Sequence, residues 1–294
     1  MDAAISRLTR TLLLTLVLSP SPLVAQGDWA AVERALGRAG TEQPGGVMRF
    51  SFPRSDLRVT VDGVAVRPAL ALGSWLAFRR AAGGAMAMGD LVLAENEVAP
   101  VIARLEQGGV MPSAVHNHLL RERPRVTYVH VEAHGDAARI AGTVRAALAL
   151  TRTPMGSPAA PSAAPFALDT GALAGALGRS GRVNGGVWQV SVPRAEAIVQ
   201  HGDTVPPAMG VATAINLQPT GPGRAAATGD FVMTAGEVEG VLRALRENGI
   251  EVTALHSHMV GEEPRLYFAH FWANDDALRV ARGLRAALAR MAVR

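Results

Sequence analysis

The 294-residue chain has no cysteine and no lysine. Without cysteine there is no disulfide framework, no thiolate metal site and no attachment point for a lipobox lipid. Histidine, aspartate and glutamate remain as the expected side-chain metal ligands. Every basic side chain is arginine, which keeps its proton at any ordinary pH, so a pI near 10.7 accompanies a formal charge of only +4. The arginines are spread along the chain, which leaves no stripe for a nucleic acid to follow. After the N-terminal stretch no run is apolar and long enough to span a bilayer. There is no Gly-x-Ser-x-Gly elbow, no P-loop and no dinucleotide fingerprint.

What the chain does have is a repeated histidine motif. Val115-His116-Asn117-His118 runs through Glu122, Pro124 and Arg125 to Tyr128 and His130; Leu255-His256-Ser257-His258 runs through Glu262, Pro264 and Arg265 to Phe268 and His270. The two copies lie at one offset of 140 residues and contain six of the eight histidines. Residues 115–120 and 126–132 read as two strands of a hairpin closing near Arg123. Side chains alternate faces along a strand, so His116 and His118 share a face, as do Tyr128, His130 and Glu132. Symmetric closure sets His116 opposite His130 and His118 opposite Tyr128, and three imidazoles converge. His134 and Glu122 stand near enough in sequence to add a further ligand. The second copy repeats the set with His256, His258, His270 and Glu262, but has Trp272 for Glu132 and Asn274 for His134.

Three neutral imidazoles with an open position form the ligand set of a catalytic zinc site. The expected ligands of a divalent ion, zinc among them, are therefore His116, His118, His130, His134, His256, His258 and His270. Glu122, Glu132 and Glu262 are the expected proton acceptors if the ion activates water. Only one half keeps Glu132 and His134, so if a single site binds metal it is expected to be the first, which has more potential ligands.

Residues 1–25 read as a secretory signal peptide: Arg7 and Arg10, a short apolar segment over 11–18, a Pro-containing break, and a small-residue cleavage point at Ala25. Export to the periplasm or beyond follows as an expectation. The repeat then organises the rest. Residues 26–150 and 166–294 form two homologous domains, separated by a Pro/Ala/Ser-rich linker over 151–165. Gly45-Gly46-Val47 recurs as Gly185-Gly186-Val187, Ser51-x-Pro53-Arg54 as Ser191-x-Pro193-Arg194, and Gly89-Asp90 as Gly229-Asp230. Each half opens with a helix, over 29–39 with Asp28 as cap in the first. Strands follow over 47–52, 57–66, 75–78 and 86–93, with Asp62-Gly63 as a turn. A helix over 95–107 ends at Gly109, the histidine hairpin follows, and Asp136 or Asp276 caps a last amphipathic helix. The predicted class is α+β: two tandem domains, each a mainly antiparallel sheet with helices on one face, paired with each other within the chain. Asp90 and Asp230 read either as partners of a ligating His or, the reading preferred here, as turn residues, and Tyr128 as a general acid or, preferred, a packing aromatic.

The stretches PRSDLRVTVDGVAVRPALALGSWLAF, GDLVLAENEVAPVIARL and AVHNHLLRERPRVTYVHVEAHGDA, with their second copies, resemble the LppY/LpqO family of exported bacterial envelope proteins. The resemblance covers nearly the whole mature chain and implies location and a duplicated architecture, but no chemistry. Named members are lipoproteins, and the lipobox cysteine is missing here. Two shorter likenesses rest on the histidines alone: His-x-His with a third His on the next strand resembles carbonic anhydrase, and His-x-His-x-x-x-Glu resembles the first cupin motif, whose Gly-rich second motif is missing. Beside a metal-dependent hydrolase stand two other classes: a module binding a small-molecule or envelope ligand without catalysis, and an envelope protein whose histidines are structural.

Overall fold

The computed structural model describes residues 29–156 and 166–294. The expected signal segment, Asp28 and the later part of the expected linker lie outside the described residues. The first half contains α1 (Ala30–Leu36), β1 (Thr41–Gln43), β2 (Val47–Pro53), β3 (Thr60–Val61), β4 (Val64–Ala65), α2 (Pro68–Ala71), β5 (Gly73–Ala81), β6 (Gly84–Ala94), α3 (Val98–Gln107), β7 (Met111–His116), β8 (Val126–Gly135) and α4 (Ala137–Leu148). The second contains α5 (Thr170–Leu177), β9 (Arg182–Asn184), β10 (Val187–Pro193), β11 (Ile198–Gln200), β12 (Asp203–Val205), β13 (Ala212–Gly221), β14 (Arg224–Met233), α6 (Ala235–Glu247), β15 (Glu251–His256), β16 (Glu262–Glu263), β17 (Tyr267–Asp276) and α7 (Ala277–Leu288).

Each half builds a six-stranded sheet, β1-β2-β5-β6-β8-β7 and β9-β10-β13-β14-β17-β15, with antiparallel neighbours throughout. Strand alternation divides the side chains between two faces. In the first half, Phe50, Phe78, Leu91, Val129 and Val131 pack under the helices against Leu36, Val101, Leu105, Ile140 and Val144. The second half repeats this with Trp188, Ile215, Phe231 and Phe271 beneath Leu177, Leu245 and Leu284. The opposite faces meet each other. Met86 and Met88 pack with Met209, Met259 and Phe268, and Leu70, Leu72 and Tyr128 pack with Val187, Ala226 and Trp272. The layers therefore run helix, sheet, sheet, helix, and the α+β class with helices on one face of each sheet holds.

Several local expectations change. The expected strand over 57–66 shrinks to the two-residue arms β3 and β4, because Asp62 (φ 48°) and Gly63 (φ 83°) fold the chain back at its centre. The first part of the expected linker is tied to the first half: the Arg152 N–H donates to Glu97 Oε1 at 2.9 Å, and Thr153 is buried. The recurring Ser-x-Pro-Arg motif places Arg54 and Arg194 in matching buried ion pairs. Each guanidinium donates to the helix-start carboxylate, Glu97 or Glu237, at 2.7 Å. Asp136 and Asp276 both cap their helices, accepting from the N–H of Arg139 and Arg279. Replacing either aspartate with alanine is expected to cost about 1 kcal/mol, read as a shift in denaturant midpoint at unchanged slope.

Candidate metal centre

The two histidine hairpins face each other across the sheet–sheet interface. On β8, Tyr128, His130 and Glu132 occupy one face, and β17 places Phe268, His270 and Trp272 likewise. The first-half pairing differs from the symmetric expectation. His116 lies opposite Tyr128 and Ala114 opposite His130, and β7 ends at His116, leaving His118 in the loop. A bulge between Pro112 and Ala114 accompanies this register. The shift is two residues, so the face is preserved; a one-residue slip would have turned His130 away.

The six rings form one cluster rather than two separate sites. His116 and His256, equivalent positions in the repeat, have ring centroids 3.9 Å apart. His118 of the first half stacks on His270 of the second at 3.7 Å, and His258 of the second stacks on His130 of the first at 3.6 Å. Behind them, His118 lies on Tyr128 at 3.4 Å and His258 on Phe268 at 3.5 Å. This reciprocity marks a pseudo-two-fold axis passing beside His116 and His256. The hairpins are also tied to each other: Asn117 Nδ2 donates to the Thr253 carbonyl at 3.0 Å, and Ser113 Oγ to the His258 carbonyl at 2.6 Å.

Two ligand sets emerge. His116, His256, His258 and His270 offer ring nitrogens within 4.8 Å of one another, and so do His116, His118 and His130. His116 belongs to both. Zinc–imidazole bonds of about 2.0–2.1 Å make the edge of a tetrahedral ligand set roughly 3.4 Å, so closure on an ion requires ring shifts of about 1 Å. The larger set takes three of its four rings from the second half, so the first half's expected advantage in ligands is absent.

The electrostatics favour neutral rings. Burial, reinforced by the neighbouring imidazoles, pushes His118 and His258 well below the usual histidine range and His116 to the same side. Burial lowers His130 to about 3 and His256 to about 4. Nε2 of His116, His118, His130 and His270 is buried and lacks a hydrogen-bond partner. Nε2 of His256 and His258 lie 3.0 Å apart, so at most one of them carries the proton between them.

Asp90 and Asp230 complete the centre. They occupy strand interiors, opposite His130 and His270 in the register, and are not turn residues as expected. Asp90 Oδ2 is 3.5 Å from His118 Nε2 and 3.7 Å from His130 Nε2, and Asp230 Oδ1 is 2.5 Å from His270 Nδ1. His270 Nδ1 also faces the Gly229 carbonyl at 3.1 Å, and His130 bonds the Gly89 backbone in the same way. Burial, with Asp230 nearby, raises Asp90 well above the carboxylate range. Burial acts on Asp230 in the same sense, but the attraction and hydrogen bond of His270, aided by His130 and His256, hold it below its ordinary value. The two carboxyl groups are thus shifted in opposite directions. The signal for these residues is a charged side chain repeated inside an otherwise apolar strand, Met86 to Leu93.

The other expected residues lie elsewhere. His134 is exposed on the far end of β8, packed edge-on against His201 at 5.0 Å, and belongs to neither ligand set. Glu122 and Glu262 are buried under their own loops. Glu262 accepts the Leu266 N–H at 2.9 Å, and Glu122 accepts from its own and the Val126 backbone. They tie the loops that carry His118 and His258, and the hydrogen bonds they accept leave them poorly placed as bases. Glu132 is 4 % exposed, accepts from Gln200 Nε2 at 2.6 Å, keeps Oε1 unpartnered, and is raised by burial. It shares a small cavity with His130 and His258. Tyr128 Oη donates to the Ala71 carbonyl at 3.0 Å, in keeping with a packing role.

Residues 30–150 and 171–290 each match the family model described as "Domain of Unknown Function (DUF1259)". No curated protein matches the chain. A solved structure, that of a trimeric bacterial microcompartment shell protein PduB, aligns over 85% of this chain and 91% of its own at 13% identity. Its TM-score of 0.22 carries no argument about fold or function. Among the described residues no helix is long and apolar enough to cross a membrane.

Proposed function

The chain belongs to this domain family through both of its halves, and on that premise we propose that it is a metal-binding protein whose duplicated hairpins together hold a divalent transition metal, zinc among them. The observation that carries the reading is the convergence of buried ring nitrogens with no protein partner. Such groups cost about 1–3 kcal/mol each when left unsatisfied, and native interiors contain few of them. A stacked histidine cluster of purely structural purpose would be expected to satisfy those nitrogens internally. Neutral imidazoles are also the form that coordinates a metal. Asp230 would orient His270 through Nδ1, Asp90 would supply counter-charge beside Nε2 of His118 and His130, and the Gly229 carbonyl would help to fix the His270 ring.

The test is elemental analysis of the purified mature chain, followed by zinc titration of chelator-stripped protein. Stoichiometric binding with a rise in Tm supports the proposal, since a ligand that binds only the native state stabilises it. No binding at micromolar zinc removes it. Asp230→Asn is expected to weaken zinc about 10–100-fold while leaving the fold intact, because it loosens His270 without removing a ligand.

A finer reading, a metal-dependent hydrolase, is supported by Glu132 alone among the three expected carboxylates. The residue lines the cavity beside His130 and His258, and its Oε1 has no hydrogen-bond partner. The metal would lower the pKa of bound water, and Glu132 would accept its proton. Hydrolysis of an activated ester that survives Glu132→Gln unchanged would remove that role. We also propose membership of the LppY/LpqO group and export from the cytoplasm, on the motifs and on residues 1–25. N-terminal sequencing of secreted protein tests the cleavage after Ala25.

A further inference from the structure

The histidine cluster has different neighbours on its two sides. On one side the small cavity is bordered by His130, His258 and Glu132 together with Met88, Met209 and Met259. The residues 140 positions away from these methionines are Thr228, Ala69 and Leu119. Met86, which packs in the same cluster, has Ala226 as its counterpart. The opposite side of the pseudo-two-fold is filled by Leu70, Leu72, Leu119 and Trp272. Methionine is a common filler of irregular cores. Here, however, aliphatic side chains and a tryptophan do the equivalent packing across the axis, so packing alone does not call for sulfur. The three methionines are 2–5 % exposed, and His130 and His258 are 7 % and 4 % exposed. His130 Nε2 has no hydrogen-bond partner. In a chain without cysteine, thioether sulfur is the only soft donor available, so the ligand inventory read from sequence, limited to His, Asp and Glu, is incomplete.

We propose that this cavity is a monovalent copper site, with up to four donors drawn from the ring nitrogens of His130 and His258 and the thioether sulfurs of Met88, Met209 and Met259. Thioether and imidazole together select Cu(I) over harder ions. The site shares His130 and His258 with the divalent cluster, so it rests on the reading that their ring nitrogens are free to coordinate. It adds a choice of metal that the histidines by themselves do not make.

The test uses the full mature chain under anaerobic conditions. Cu(I) is offered from a chromogenic Cu(I) chelator, and zinc is titrated separately. Wild-type protein is expected to withdraw one Cu(I) from the chelator. The triple variant Met88→Leu, Met209→Leu, Met259→Leu replaces sulfur at nearly constant volume, a class of change that cores tolerate. Positioning residues alone change metal affinity about 10–100-fold, so losing the sulfur donors should weaken Cu(I) by about a hundredfold or more, with zinc affinity nearly unchanged. Zinc binding without Cu(I) binding overturns the copper proposal and leaves the divalent reading standing. Failure of both metals removes both. Cu(I) binding that the triple variant retains overturns the assignment of the sulfurs. Should the triple variant not fold, X-ray absorption on wild-type protein decides: sulfur in the copper coordination shell is expected, and a shell of nitrogen or oxygen alone overturns the proposal.

Discussion

His116→Ala is expected to reduce zinc affinity by about 100–1,000-fold. The ring belongs to both ligand sets, and its centroid lies 3.9–5.3 Å from those of the other five clustered histidines. Structural zinc sites yield about 10–16 kcal/mol over four ligands, or roughly 2.5–4 kcal/mol for each, which sets the order of that factor. The residue ends an edge strand and is only partly buried, so the fold should survive its removal. His256→Ala offers a contrast. His256 joins only the four-histidine set, leaving His116, His118 and His130 intact. It should therefore lose less affinity than its repeat counterpart. His134→Ala should change nothing, because that ring is exposed and outside both sets. Isothermal titration of the three variants checks the order; equal losses in all three would remove His116 from the centre of the site.

The metal-free protein should lose stability steeply between pH 6.5 and pH 4. In the unfolded chain histidine titrates near pH 6.5, whereas burial holds His130 to about 3 and His256 to about 4 in the fold. Between those values the unfolded chain takes up protons that the native cluster refuses. Stability is therefore greatest above pH 6.5 and falls as pH drops toward the folded values. Each such histidine contributes a slope of about 1.4 kcal/mol per pH unit, so these two give about 3 kcal/mol per unit. By pH 5 the loss is about 4 kcal/mol, a large part of a typical stability of roughly 5–15 kcal/mol. Denaturant unfolding in the presence of chelator at pH 7.5, 6 and 5 measures it. The double variant His130→Gln, His256→Gln should remove about 3 kcal/mol per pH unit from the slope, leaving the part owed to His116, His118 and His258; a wild-type profile already flat over this range would contradict the buried neutral cluster. Bound metal should move the loss to lower pH, until protons compete for the same nitrogens.

Much of this architecture was legible in the chain itself. The offset of 140 residues determined that there are two homologous halves, and the family match over 30–150 and 171–290 follows the same division. Strand alternation determined that His116 and His130 share a face, because a period of two survives any even change of register. Asp136 and Asp276 marked their helix starts because capping is local chemistry. The gathering of all six histidines was decided only by the tertiary structure. Nothing in a hairpin's own sequence states that its open face will be covered by its repeat, and that docking is what pairs His118 with His270 and His130 with His258. The same docking buried Asp90 beside Asp230, left His134 outside, and turned Glu122 and Glu262 into ties for their loops. It also set Met209 and Met259 of one half beside Met88 of the other, a proximity that no spacing along the chain encodes. Local sequence sets the direction in which each side chain points, but what it meets depends on surfaces brought together from positions more than a hundred residues apart.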